Sequence, residues 1–221
     1  MEHYYTNNPT SKSEERMLTY KIADKIINLM SDNGVFSKEH VDFATNFMLT
    51  VLLGEEIQGK VLDLGCGYGT IGITLAKFFD IELTMLDVNE RALNLTRKNC
   101  EQNQVSNVTI LESNGMEKVT GNFDVIITNP PILAGKAVIY KMYEDAKKHL
   151  VDGGAFYLVI NKKHGAQSTK EYLVKIFGNC EILDKKSGFN VMKCMKFDKN
   201  KWKLRKEAGD KWEKSNWKKL F

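Results

Sequence analysis

Apolar residues recur along this chain with two alternating periods. Short runs rich in β-branched and aromatic residues stand at 60–64, 82–87, 107–111, 123–128 and 155–160, each bounded by Gly, Asp or Asn, and these predict strands. Between them, residues 70–79, 89–103 and 137–150 carry apolar positions at helical spacing, as in Ala92, Leu93, Leu95, Thr96 and then Cys100. Strand and helix in alternation predict a parallel sheet with helices on both faces, an α/β fold. A further helix is expected over 167–177. Residues 180–183 and 191–197, joined through Lys185-Lys186-Ser187-Gly188, read as a closing antiparallel hairpin.

The segment before this core has a different texture. Leu18 to Ile22 and Ile26 to Met30 flank a polar Asp24-Lys25, a pattern that fits a hairpin and a single helix nearly equally. Ser37 is expected to cap a helix carrying Val41, Phe43, Ala44, Phe47, Met48, Val51 and Leu52. Without an internal repeat or a Pro/Gly-rich linker, the organisation expected is one domain over 1–197, comprising an N-terminal cap and first helix (1–54) and a core (55–197), followed by an extension (198–221).

Composition refines this picture in three ways. At 43% hydrophobic, 221 residues can bury a full core. No apolar run approaches the ~20 residues of a membrane span, and the first residues carry no signal-peptide core, so the expected location is the cytoplasm. Cys66, Cys100, Cys180 and Cys194 are widely spaced with no metal-ligand interval among them; they read as small buried thiols, and no metal is expected. The net charge of +4 is carried by the extension, where residues 198–221 hold nine Lys and Arg against four Asp and Glu, together with Trp202, Trp212 and Trp217. Basic and aromatic residues interleaved in this way suit either contact with RNA or an amphipathic strap docked on the body.

The chemistry concentrates in two places. The run Val61-Leu62-Asp63-Leu64-Gly65-Cys66-Gly67-Tyr68-Gly69-Thr70-Ile71-Gly72 ends a strand in a glycine cluster, where backbone can approach a nucleotide-like ligand closely. Gly67 to Gly72 spell GxGxxG, and Asp87 follows Gly67 by twenty residues, which also satisfies a dinucleotide fingerprint. The second place is Asn129-Pro130-Pro131-Ile132, an amide on a proline-stiffened loop directly after a strand. In an open parallel sheet such a loop lies at the ligand-binding edge.

With Asp63-Leu64-Gly65-Cys66 ahead of it, the glycine run resembles the first motif of class I S-adenosylmethionine-dependent methyltransferases, whose sheet is Rossmann-like and seven-stranded. The resemblance implies S-adenosylmethionine as cofactor. Gly65, Cys66 and Gly67 would pass beneath it, with Asp63 near its methionine end and Asp87, beside Val88, on the ribose hydroxyls. Asn114 would stand where the family often places an Asp against the adenine amine; its amide oxygen can still accept that bond, with one formal charge fewer. Asn129 to Ile132 resemble the (D/N/S)PP(aromatic) motif of enzymes that methylate a planar nitrogen, in which the Asn oxygen and the first proline's carbonyl accept hydrogen bonds from the amine. On that likeness Asn129, Pro130, Pro131 and Ile132 form the catalytic set, and Asn129 also borders the cofactor.

Two further segments, His3-Tyr4-Tyr5-Thr6 and Asp32-Asn33-Gly34-Val35-Phe36-Ser37, occur with these motifs in the order found in the small methyltransferase domain of ribosomal RNA guanine-N2 methyltransferases of the RsmC type. The likeness spans roughly 1–197 and implies that Phe36 helps wall the cofactor pocket. Two positions depart from the pattern: Ile132 replaces the aromatic that stacks on a flipped base, and Ala44 stands where a glycine is common. Lys136 and Lys163, the latter within Lys162-Lys163-His164, would hold phosphates of the RNA partner. The activity expected is N2-methylation of guanine in ribosomal RNA. Glutamine N-methylation of a protein, N-methylation of a small molecule, and a non-catalytic RNA-binding assembly factor are the alternatives.

Overall fold

A computed structural model describes residues 12–197; the segment around Tyr4 and the basic extension lie outside the described residues. The elements are, in order, β1 (Arg16–Ile22), β2 (Lys25–Ser31), α1 (Phe43–Leu52), β3 (Gly59–Leu64), α2 (Thr70–Phe78), β4 (Ile81–Asp87) and α3 (Glu90–Gln102). They continue with β5 (Val108–Glu112), β6 (Phe123–Thr128), α4 (Lys136–His149), β7 (Leu150–Asn161), α5 (Ala166–Phe177), β8 (Glu181–Lys186) and β9 (Phe189–Met195). Among the described residues, seven strands form one sheet in the order β5-β4-β3-β6-β7-β9-β8. Pairing is parallel from β5 through β7, and β9 and β8 close the sheet antiparallel. This is the α/β, Rossmann-like arrangement that the alternating periods predict.

Because side chains alternate across a strand, each strand feeds two cores. Val61, Met85, Val125 and Ile127 pack with Met48 of α1, Ile73 of α2 and Leu93 of α3 on one face. Leu62, Leu64, Leu86 and Ile126 pack with Tyr143 of α4 and Leu173 of α5 on the other. Each fully buried side chain of this size contributes about 1.5–3 kcal/mol of transfer free energy. Glu55, in the loop after α1, accepts from Tyr157 Oη at 2.9 Å and pairs with Lys193 Nζ at 2.6 Å, fastening that loop to β7 and β9.

Residues 18–30 form a hairpin rather than a helix. β1 and β2 join through Ala23-Asp24, with Ala23 at φ 48°, and the inward residues Ile27 and Leu29 of β2 are fully buried. The edge of β2 is covered by side chains of α3 instead of another strand. Asn99 accepts from Met30 N at 2.6 Å and donates to Met30 O at 3.0 Å; Asn103 accepts from Asn28 N at 3.2 Å and donates to Asn28 O at 2.7 Å. Two amides four residues apart on α3 thus imitate a strand's donors and acceptors, satisfying backbone groups that an edge would otherwise leave open.

The first helix begins later than its sequence predicts. Its cap is Asp42, whose carboxylate accepts from Thr45 N at 3.1 Å. Ser37 instead sits at φ 56° with its hydroxyl on the His40 carbonyl, inside the segment that crosses the sheet edge. A carboxylate directly before Phe43 wins because it meets an unpaired helical N–H, a contribution of about 1 kcal/mol. No helix among the described residues is long and apolar enough to cross a membrane.

Candidate active site

β3 and β6 are neighbours at the centre of the sheet, and both sequence motifs leave from their carboxyl ends. After Leu64 the chain turns through Gly65 to Gly69 and enters α2 at Thr70. The turn is tied to β4, since Gly65 N and Cys66 N both donate to Leu86 O at 2.9 Å. Gly67, at φ 57°, donates its N–H to Asp87 Oδ2 at 2.8 Å, while its carbonyl accepts from Thr96 Oγ1 at 2.8 Å. Asp87 Oδ1 takes the Asn89 N–H at 2.9 Å. Burial raises the Asp87 carboxyl above its ordinary range, opposed by those backbone donors.

Asp63 has a different place from the one expected. Alternation along β3 turns it toward α2, fully buried, where Oδ2 accepts from Gly72 N at 2.8 Å and Oδ1 has no partner. Burial, with the Asp87 charge adding to it, pushes this carboxyl up to about 7. Gly72 makes the approach of α2 to the sheet feasible: a Cβ there would stand 2.6 Å from Met85 Sδ and 3.2 Å from Asp63 Oδ2. Burial and the charges of Asp63 and Asp87 raise the Cys66 thiol well above its usual range, as befits a buried, unreactive sulfur.

The second motif is pinned to the first. Thr128 Oγ1 donates to Leu64 O at 2.8 Å, joining the strand ends from which the two loops depart. Asn129 then donates Nδ2–H to Thr45 Oγ1 of α1 at 3.0 Å. With its nitrogen held there, the amide oxygen remains as an acceptor. Pro130 and Pro131 lead into a one-turn 3-10 helix, Ile132–Ala134, and Gly135 starts α4.

Between these loops lies a cavity of about 640 Å³, within the ~300–1,000 Å³ range usual for small-molecule sites. Gly65, Cys66, Gly67, Asp87, Val88 and Asn114 line it, and so do Asn129, Pro130, Pro131 and Phe36. Asp63, Ile132, Lys136 and Lys163 are not among its lining residues. Phe36 belongs to a segment arched over the opening: Asn89 Nδ2 donates to Gly34 O at 3.0 Å, Tyr68 Oη to Ser37 O at 3.1 Å, and Arg91 pairs with the buried Asp32 at 3.3 Å. At another part of the wall Asn114 donates Nδ2–H to Glu117 Oε1 at 3.2 Å, which again leaves the amide oxygen as an acceptor. The Lys141–Asp145 ion pair of α4 borders the same space.

Ile132 packs against the core beneath α4 and α5, and the Lys136 ammonium lies 5.1 Å from the centre of the Tyr140 ring. Lys163 is exposed in the turn after β7. Lys136 and Lys163 therefore follow β6 and β7, neighbours in the sheet, outside the cavity itself. Sequence reading missed Thr45, Asp42, Tyr68, Asn89 and Lys141 as lining residues. Asp42-x-x-Thr45 carries a usable signal, an acidic cap three residues before a hydroxyl at a helix start, but attention to Ser37 obscured it.

A cavity with glycine backbone on its floor, a carboxylate and two amide oxygens on its walls, and apolar Leu86, Val88 and Met116 between them suits a nucleoside bearing a polar tail. The residues present thus fit S-adenosylmethionine. Residues 26–193 match the methyltransferase small domain. The chain is 40% identical over 198 residues to the uncharacterized protein YbxB of Bacillus subtilis, covering 88% of this chain and 98% of that one. It is 32% identical over 179 residues to ribosomal RNA small subunit methyltransferase C of Actinobacillus pleuropneumoniae, covering 78% of this chain and 53% of that protein. Among solved structures, the Thermus thermophilus 16S rRNA N2 G1207 methyltransferase RsmC, in complex with AdoMet and guanosine, superposes with a TM-score of 0.75 at 29% identity, over 85% of this chain and 52% of that one. The chain therefore spans nearly all of YbxB but about half the length of the methyltransferase C relatives. It belongs to the methyltransferase small domain family and is a class I S-adenosylmethionine-dependent methyltransferase.

Proposed function

We propose that this protein methylates the exocyclic N2 amine of guanine in ribosomal RNA, in the cytoplasm. The observation that carries the reading is the Asn129 amide: its nitrogen is engaged by Thr45, and its oxygen is left to accept where the two motif loops meet. Such an amine is a weak nucleophile, because its lone pair is delocalised into the ring. Hydrogen bonds from its N–H groups to the Asn129 side-chain oxygen and the Pro130 carbonyl raise electron density on nitrogen. When bound, S-adenosylmethionine supplies an electrophilic sulfonium methyl: the N–C bond forms as the C–S bond breaks, a neutral thioether leaves, and the methylated amine gives its proton to water.

The chain's own contribution is chiefly orientation. Gly65 and Gly67 offer a floor without Cβ atoms, Asp87 an acceptor for ribose hydroxyls, and the Asn114 oxygen an acceptor for the adenine amine. Phe36 closes the pocket from above, and Asp63 shapes the glycine turn from below. Holding two reactants in line is worth up to about 7–11 kcal/mol in favourable cases, so no dedicated base is required. Lys136 and Lys163 would engage phosphates flanking the target nucleotide, and the acceptor preference draws support from the methyltransferase C relatives and the RsmC structure.

The test is Asn129→Ala. Single-turnover methyl transfer to ribosomal RNA should fall on the order of 10²-fold, as when a preorganised hydrogen-bonding group is lost, while cofactor affinity measured by calorimetry stays within about twofold. Near-parental turnover in this variant would contradict the gripping role.

A further inference from the structure

We propose that the Thr45 hydroxyl is a positioning group for the transfer step, fixing which end of the Asn129 amide faces the acceptor amine. The inference rests on the reading of Asn129 as the group that accepts from that amine. A primary amide has an oxygen and an NH₂ of nearly equal size, and a half-turn exchanges them. With the oxygen toward the substrate, an exocyclic amine finds an acceptor; with the NH₂ toward it, donor meets donor and the grip is lost. Proline neighbours hold the backbone of this loop but do nothing to choose between the two orientations.

Thr45 makes the choice. Its hydroxyl oxygen lies 3.0 Å from Asn129 Nδ2, so this contact selects the orientation with nitrogen on α1 and oxygen in the cavity. Other threonines on the helices behave differently. Thr50 and Thr96 turn their hydroxyls back on their own helices, to Asn46 O at 2.9 Å and Ala92 O at 3.0 Å. Thr45 instead reaches 84 positions along the chain to the catalytic loop. Its own placement is rigid, because it is 5% exposed, Asp42 holds its N–H, and α1 is anchored by the fully buried Met48, Leu49 and Leu52. Asp42, Thr45 and Asn129 thus form a relay of position from a helix cap to the substrate.

Thr45→Val removes the hydroxyl at nearly constant shape and Thr45→Ser keeps it. At saturating cofactor, single-turnover transfer to ribosomal RNA should fall about 10-fold in Thr45→Val and stay near parental in Thr45→Ser, with cofactor affinity unchanged in both. A second readout needs no catalysis. In ¹H–¹⁵N spectra of the free protein, the Asn129 side-chain amide signals, identified by their absence in Asn129→Ala, should shift and exchange faster with solvent in Thr45→Val alone. In the Asn129→Ala background, adding Thr45→Val should cost nothing further. Thr45→Ala, with different packing and again no hydroxyl, should follow Thr45→Val. A parental rate and unmoved amide signals in Thr45→Val, or a 10-fold loss that persists without Asn129, would overturn the proposal. If Asn129→Ala itself turned over normally, the reading of Asn129 would fall, whereas the amide signals would still decide the contact with Thr45.

Discussion

Asp63 illustrates how one side chain can follow the strand period and still depart from its expected neighbour. Its position in β3 fixes the face it occupies, and that face lies beneath α2 rather than in the cavity. A carboxyl raised to about 7 from an ordinary value near 4 binds its proton more tightly in the folded state than in the unfolded one. The stability it contributes is therefore fully present below about pH 4 and is lost as pH rises through about 7. In Asp63→Asn the side-chain oxygen still accepts the Gly72 N–H, but nothing titrates. Relative to the parent, the free variant should gain about 2 kcal/mol, or roughly 4–8 °C in Tm, between pH 5 and pH 8. A constant difference across that range, measured by calorimetry, would contradict the burial argument. At this scale the sequence exposed residue types well, Asp87 and Asn129 above all. It concealed Thr45, because a threonine three residues into a helix looks like any other until the loop it meets, 84 positions on, is brought alongside.

At the scale of elements, strands of the central sheet and their helices were legible because each is long enough to show its period, and their ends moved by only a residue or so. Residues 18–30 were ambiguous for a physical reason: two seven-residue strands with a two-residue turn place apolar residues at intervals that a helix can also satisfy. What decides between them is tertiary, the pairing of β2 with the Asn99 and Asn103 side chains. Replacing both asparagines by alanine leaves the Asn28 and Met30 amides without their acceptors, a penalty of about 1–3 kcal/mol for each donor that stays buried. Hydrogen exchange across 25–31 should accelerate on the order of 10-fold or more, with exchange in β3 and β6 little changed. Unaltered protection in the hairpin would show that packing alone holds it. The late start of α1 belongs to this scale as well, since two cap-forming residues, Ser37 and Asp42, compete and only the folded path selects between them.

For the molecule as a whole, strand order is what converts two distant motifs into one site. β3 and β6 become neighbours, Thr128 ties their ends together, and the glycine turn and the Asn129 loop share a cavity. The segment from Gly34 to Ser37 then closes it from the side of the N-terminal hairpin. The measurement that addresses the account most directly is transfer of tritiated methyl from S-adenosylmethionine to ribosomal RNA, offered free and as assembled subunits, followed by digestion and chromatographic identification of the labelled nucleoside. The expected result is label in N2-methylguanosine, abolished by Asn129→Ala. Label in another nucleoside, or in protein with none in RNA, would contradict it.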